Sequence, residues 1–284
     1  MKPFGLAHLT LGAPPAESID AARAAGFAAL GIRIAARRPQ EPFATPIIGA
    51  PDRIRAIREQ ARDAGVTIAN VQAYQFYPDT RWDDVQPVIA TTHALGVPVI
   101  VAYSFDPDEA RFLDIFARYC EAARTADIRI ALEFLPYSRV RDLAGALDLI
   151  ARSGATNAGV LIDVLHLFRS GGQPSDVRNL DPRRIAYVQL CDARRITTPM
   201  TEAELQAEAR TGRLPAGEGE LPLFELLDAL PTDIDVEYEC APAARAAWST
   251  LDKAQAARAD ADRFLRAYVE HRARAPRSSP ATGA

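Results

Sequence analysis

Lysine is almost absent from this chain: among 284 residues it occurs only as Lys2 and Lys253. Neither lies at the end of a run that reads as a strand, which argues against Schiff-base catalysis, pyridoxal phosphate attachment and a phosphate-binding P-loop. Cysteine is also scarce. Cys120, Cys191 and Cys240 are odd in number, widely spaced and form no C-x-x-C pair, so a disulfide framework is not expected and a reducing compartment is. There is no basic excess, the formal net charge being −4, which argues against a nucleic-acid partner. Nowhere do about 18 apolar residues run together, so no membrane span is expected. The opening MKPFGLAHLTLGAPPAESID breaks at Pro14-Pro15 after too short an apolar run for a signal peptide, and a cytoplasmic location follows as the expectation.

What remains is an ordinary globular composition, 48% hydrophobic and 25% charged. Short apolar, β-rich runs recur, each followed by a helical stretch: residues 4–11, 28–34, 66–74, 97–103, 128–134, 158–164, 185–191 and 234–239. Between them lie amphipathic segments such as DRIRAIREQARDAG and RDLAGALDLIARSG, whose apolar spacing is helical and whose closing glycine marks a helix end. Eight βα units predict a closed (β/α)8 TIM barrel, a single domain over residues 1–273, with a disordered tail at 274–284. An open doubly wound sheet is the weaker alternative, because no G-x-G-x-x-G follows the first strand.

Alternation then says which side chains face the barrel axis. In IRIALEF, Ile130, Leu132 and Phe134 share the helix-facing side, and Glu133 points inward near the strand's end. By the same rule Asp163, Gln189, Glu237 and Glu239 point inward from the sixth, seventh and eighth runs. Glu133, Asp163, Gln189 and Glu239 therefore converge at the mouth where barrel enzymes work. Carboxylates crowded in a partly dry site repel one another unless a cation stands between them. The oxygen-only set favours Mn²⁺ or Mg²⁺, tolerates Co²⁺ and disfavours structural Zn²⁺. Any one such acid could equally be a salt-bridged core residue; four at equivalent strand ends favour the ion. Glu237 shares the parity of Glu239, whose later position in the strand favours it. His8 is expected to face the axis by alternation with Leu6 and Thr10.

At these residues the chain resembles the xylose isomerase-like TIM barrels, which include sugar and sugar-phosphate isomerases and epimerases, ketose 3-epimerases and hydroxypyruvate isomerase. The likeness rests on ALEFLPYS, NAGVLIDVLHLFRSGG, IAYVQLCDA, RLPAGEGELPL and DVEYECAP. It implies that Glu133, Asp163, Gln189 and Glu239 are metal ligands, and that His166 of the D-x-x-H motif contacts substrate. It also implies a substrate contact for Arg213, although Arg194 and Arg195 lie near the same strand. Gln189 departs from the histidine of many relatives and matches the hydroxypyruvate isomerase-like ones. The implied activity is a divalent-metal-dependent isomerase or epimerase of a small sugar, sugar phosphate or related hydroxy-carbonyl compound. Glu133 and Glu239 would move protons beside the carbonyl through an enediolate. The alternative is a dehydratase of a cyclic keto-polyol such as 3-dehydroshikimate or a keto-inositol. An abasic-site endonuclease, which uses a related barrel, calls for more histidines than His8, His93, His166 and His271. The expected partner is a small carbohydrate-like molecule, and relatives of this kind form homo-oligomers.

Overall fold

The computed structural model describes residues 3–274. Eight parallel strands close into a barrel in sequence order, β1 (Gly5–Leu6), β2 (Ala29–Arg33), β3 (Thr67–Gln72), β4 (Val99–Ala102), β5 (Arg129–Glu133), β6 (Ala158–Asp163), β7 (Ile185–Leu190) and β8 (Val236–Tyr238). β8 pairs with β1, and this closure leaves no free sheet edge. The outer ring carries α1 (His8–Leu11), α2 (Pro15–Ala24), α3 (Pro51–Ala64), α4 (Trp82–Leu95), α5 (Glu109–Arg124) and α6 (Leu143–Ser153). It continues with α7 (Val164–Arg169), α8 (Pro174–Arg178), α9 (Glu202–Ala207), α10 (Leu223–Ala229) and α11 (Thr250–Arg274). The helix-facing residues of the strands, among them Ile130, Leu132, Ile162, Val188 and Tyr238, merge with the inner faces of these helices into one continuous core. None of these helices is long and apolar enough to cross a membrane.

The local reasons are those the sequence carries. Proline occupies the first turn of α2, α3 and α8, where its missing N–H is no loss. Glycine in the left-handed region closes α3, α4 and α6. Asp108 and Asp142 cap α5 and α6 through their side chains.

The first strand departs from expectation. Residues 4–11 read as one run, yet β1 ends at Leu6 and the chain turns into α1. Ala7 N–H still donates to the Tyr238 carbonyl, but the Thr10 hydroxyl then takes over from the backbone, donating to that same carbonyl and accepting from Cys240 N–H. Gly5 rather than Leu6 consequently faces the axis, where a Cβ on it would stand 3.4 Å from Glu237 Cγ. The final helix runs through Arg274, the first residue of the expected tail; the remaining tail positions lie outside the described residues.

Inside the barrel, Val101, Ala131, Leu161 and Tyr187 form an apolar plug below the mouth. Beside it Asn70 donates to Glu237, and both lie against Gly31. A Cβ on Gly31 would stand 2.7 Å from Asn70 Oδ1 and 2.9 Å from Glu237 Oε1. Gly31→Ala is therefore expected to destabilise the protein by about 1–3 kcal/mol, as overpacking of a filled interior does. Urea denaturation checks this; unchanged stability would show that the Asn70–Glu237 layer has room to yield.

Candidate metal and substrate site

The mouth of the barrel collects the side chains that alternation brings there. Glu133 ends β5, Asp163 ends β6, Gln189 lies near the end of β7 and Glu239 follows β8, its N–H still bonded to the Leu190 carbonyl. All four are buried. Glu133 and Glu239 reach the floor of a cavity of about 790 Å³, whose lining also includes His166 and Arg213. That volume is typical for a small-molecule site.

Arg213 is the unexpected centre of this group. Its side chain is 2% exposed, and Nη2 lies 2.7 Å from Asp163 Oδ2 and 3.0 Å from Glu239 Oε2. Nε donates to the Ala209 carbonyl at 2.8 Å, and Nη1 lies 3.2 Å from Cys191 Sγ. The segment after β7 puts it there. Asp192 and Leu214 exchange backbone hydrogen bonds, both 2.8 Å, which fixes the chain on the far side of Arg213. The buried Asp192 carboxylate accepts from the N–H groups of Ala193, Gly217 and Leu221, latching the GEGEL loop. Gly219 is required for this fit, since a Cβ there would stand 2.3 Å from Asp192 Oδ1 and 2.5 Å from the Ala193 carbonyl oxygen. On the near side, Arg169 grips Glu208 with two hydrogen bonds and fixes the π-helical turn Glu208–Gly212 that delivers Arg213. Arg194 and Arg195 are exposed, and Arg213 is the buried arginine of this segment.

Burial and crowding set the charges. Asp163 stays ionised: burial pushes its carboxyl up, but the Arg213 charge and hydrogen bond, with His166 and Glu239, hold it below the usual range. Burial, reinforced by Asp163, raises Glu133 to about 8. Burial also pushes Glu239 well above the ordinary range, against the Arg213 charge and with the help of the neighbouring Asp163. Glu237 sits beneath this floor, held by Asn70 and Gln189 and raised by burial to about 7. Without an added cation, Arg213 and protons thus neutralise what four carboxyl groups would otherwise carry.

His166 lies in the first turn of α7, where Asp163 Oδ1 caps the backbone N–H groups of Leu165 and His166. Burial lowers it to about 4, so the imidazole is neutral. Its Nε2 lies 3.9 Å from Glu133 Oε1 and 3.8 Å from Asp163 Oδ2, and these three side chains offer ligand atoms within 4.8 Å of one another. Gln189 Nε2 donates to Glu237 and Glu239, leaving its buried Oε1 without a hydrogen-bond partner. An orphaned acceptor among carboxyl groups held protonated by burial and crowding is the donor set a divalent ion satisfies, and the residues present fit one. The nitrogen of His166 adds a donor that the oxygen-only expectation left out, widening the fit toward Co²⁺ and Zn²⁺.

His8 also lines the cavity, reaching it from α1 rather than by strand alternation; burial and the Arg33 charge lower it to about 3. Tyr103 and Tyr137, which no motif in the sequence singles out, also line the cavity. Sequence reasoning overlooked Arg33, although the parity signal was available: the residue stands two positions after the inward-facing Gly31 at the end of β2.

The family model described as xylose isomerase-like TIM barrel matches residues 19–268. A Pseudomonas putida protein named 3-dehydroshikimate dehydratase is 23% identical over 235 residues, 78% of this chain and 35% of that protein. The chain thus spans about a third of that relative's length. Among solved structures, the IolI protein with a bound zinc atom superposes with a TM-score of 0.76 at 15% identity, covering 94% of this chain and 99% of that one. L-ribulose 3-epimerase superposes with a TM-score of 0.68 at 17% identity, covering 98% and 100%.

Two outcomes are expected of the site. Unfolded Glu133 titrates near 4.5 and folded Glu133 near 8, so between those values the folded protein holds a proton the unfolded chain has lost. Metal-free stability should therefore fall as pH rises through that window and level off above it. An ion that displaces the proton should bind about tenfold more tightly for each unit that the pH rises toward 8, for each proton released. Calorimetric titration with Mn²⁺ and thermal denaturation in chelator, both across this range, test it; pH-independent affinity would be the contrary result. Arg213→Met should cost the metal-free protein about 3–5 kcal/mol by stranding Asp163, with much of the loss recovered on adding the ion.

Proposed function

The chain belongs to the xylose isomerase-like TIM barrel family, and from that membership we propose that it is a divalent-metal-dependent isomerase or epimerase of a small hydroxy-carbonyl compound. The observation that carries the reading is a pair of buried carboxyl groups, Glu133 and Glu239, held off their ordinary ionisation at the floor of a cavity, with Asp163 ionised between them and Arg213. A divalent ion held by Glu133, Asp163, Gln189 and Glu239, with His166 beside them, would supply Lewis-acid polarisation of a substrate carbonyl and so acidify the neighbouring C–H.

The chain's own residues do the rest. Once ionised, one of Glu133 and Glu239 takes the proton from carbon, and the other, still protonated, gives one back. Return to the opposite face of that carbon is epimerisation; return to the neighbouring carbon is aldose–ketose interchange. Neutral His166 stands at the cavity floor, where it can hold a substrate hydroxyl. Arg213 has five N–H hydrogens, four of them engaged by Ala209, Cys191, Asp163 and Glu239, which leaves one Nη1 hydrogen for a substrate oxygen. The buried floor excludes water from the proton-transfer groups, and the barrel of residues 1–273 is the proposed catalytic unit.

A second reading shares the first step: after the proton leaves, a β-hydroxyl departs and the compound is dehydrated. The similarity to a protein named 3-dehydroshikimate dehydratase favours it, as the likeness to L-ribulose 3-epimerase accords with the first. Three buried free thiols suit a reducing compartment, and we place the protein in the cytoplasm with a small-molecule partner.

Incubation with Mn²⁺ in deuterated water, against ketoses, ketose phosphates, hydroxypyruvate and 3-dehydroshikimate, tests both readings. Isomerisation conserves mass apart from deuterium, whereas dehydration removes one water. Glu133→Gln and Glu239→Gln should each lower carbon-bound deuterium incorporation by at least about 100-fold; undiminished exchange in both would refute the assignment.

A further inference from the structure

Arg33 differs from the other arginines that the fold covers. Of those at least partly buried, Arg38, Arg169, Arg213, Arg245 and Arg258 each pair with a carboxylate, and Arg129 donates to the Arg183 carbonyl. Arg33 is half-buried at the end of β2, yet among the described residues no carboxylate lies within ion-pair distance of it. Its hydrogen-bond partners are uncharged: Gln72 Oε1 and the Ala73 carbonyl, both at the long distance of 3.4 Å, and the Tyr103 hydroxyl, while its charge acts on Glu133 only from beyond ion-pair distance. A half-buried guanidinium with such weak partners is costly unless an anion joins it.

Its surroundings say which anion. The cavity that Arg33 lines carries two acids, Glu133 and Glu239, both on the floor already assigned to ion and proton transfer. Higher up, Arg37 and Arg210 line the same cavity, so its outer part presents positive charge without a compensating acid. The adjoining wall is aromatic: Tyr77 stacks on Phe105 with centroids 5.4 Å apart at 16°, and Phe105 lies over Tyr137 at 6.5 Å and 21°. Gln75 occupies the hydroxyls of both Tyr77 and Tyr103. The wall is thereby held in place by hydrogen bonds that need no ligand.

We propose that Arg33 receives a carboxylate of the substrate, so that this protein acts on a compact hydroxy-carbonyl acid rather than a neutral sugar. The planar fork of a guanidinium matches two carboxylate oxygens, and one such group balances a single negative charge. The assignment rests on the isomerase or dehydratase reading for what happens at the carbonyl, but the anion contact itself does not depend on turnover.

Binding without chemistry separates the two. Shikimate and its methyl ester serve as ring-shaped probes, measured by calorimetry on the wild-type protein in chelator and again with Mn²⁺. The acid should bind at least about 30-fold more tightly than the ester, and Arg33→Met should erase that preference, the loss expected on truncating one partner of a buried charge pair. Arg33→Lys should recover part of it, and thermal denaturation confirms that both variants fold. Equal affinity for acid and ester, no binding of the acid at millimolar concentration, or an undiminished preference in Arg33→Met each overturns the proposal. So does an Arg33-dependent affinity for ribulose 5-phosphate exceeding that for shikimate, which would assign a phosphate instead. Arg33-dependent binding of the acid in a protein that exchanges no carbon-bound proton would keep this inference and sink the catalytic one.

Discussion

The contact between Arg213 and the Asp163–Glu239 pair governs the rest of the site. Acids from different strands are forced together because a closed parallel barrel aims all inward side chains at one axis, and burial strips away the water that would screen them. A single guanidinium, 2.7 Å from one carboxylate oxygen and 3.0 Å from another, supplies the opposing charge. It keeps Asp163 ionised, while burial leaves Glu133 and Glu239 protonated. That unequal distribution turns chemically similar residues into a fixed anion and two proton carriers, the separation of roles that acid–base chemistry requires.

Such a contact has to be held by structure that is itself satisfied. Asp192, one strand end away, accepts three backbone N–H bonds and binds no part of the cavity, yet it latches the loop that follows Arg213. Arg169 and Glu208 hold the turn that precedes it. The sequence GEGEL, which looks like a flexible turn, is thus an ordered segment whose Gly219 is fixed by close approach to Asp192. Beneath the floor, Asn70, Gln189 and Glu237 form a hydrogen-bonded layer that keeps the acids above from sinking into the plug of Val101, Ala131, Leu161 and Tyr187. Precision at the mouth depends on these neighbours, because rigid second partners fix how each functional group is aimed.

The cavity is also asymmetric in charge. Its floor holds the neutralised carboxyl groups and its outer part the positive charge of Arg33, Arg37 and Arg210, so a ligand with a polarisable carbonyl at one end and a negative group at the other would be oriented before any chemistry began. Orientation of this kind lowers a barrier by removing rotational freedom in advance.

The sequence by itself determined the barrel and the inward set. Periods of two and 3.6 residues are local properties of the chain, and they placed Glu133, Asp163, Gln189 and Glu239 at strand ends without reference to any contact. The same logic misread residues 4–11, where one hydroxyl, that of Thr10, replaced a strand ladder with a helical turn. It also counted three competing negative charges and inferred a cation between them, without foreseeing that a guanidinium already stood there. Only the tertiary structure decided that, because Arg213 lies 50 residues from Asp163 in sequence, and its position comes from a loop latched elsewhere. It decided likewise that, among the described residues, no carboxylate comes within ion-pair distance of Arg33. Ion pairing depends on which distant side chains share a few ångströms of space, and no periodicity along the chain encodes that distance.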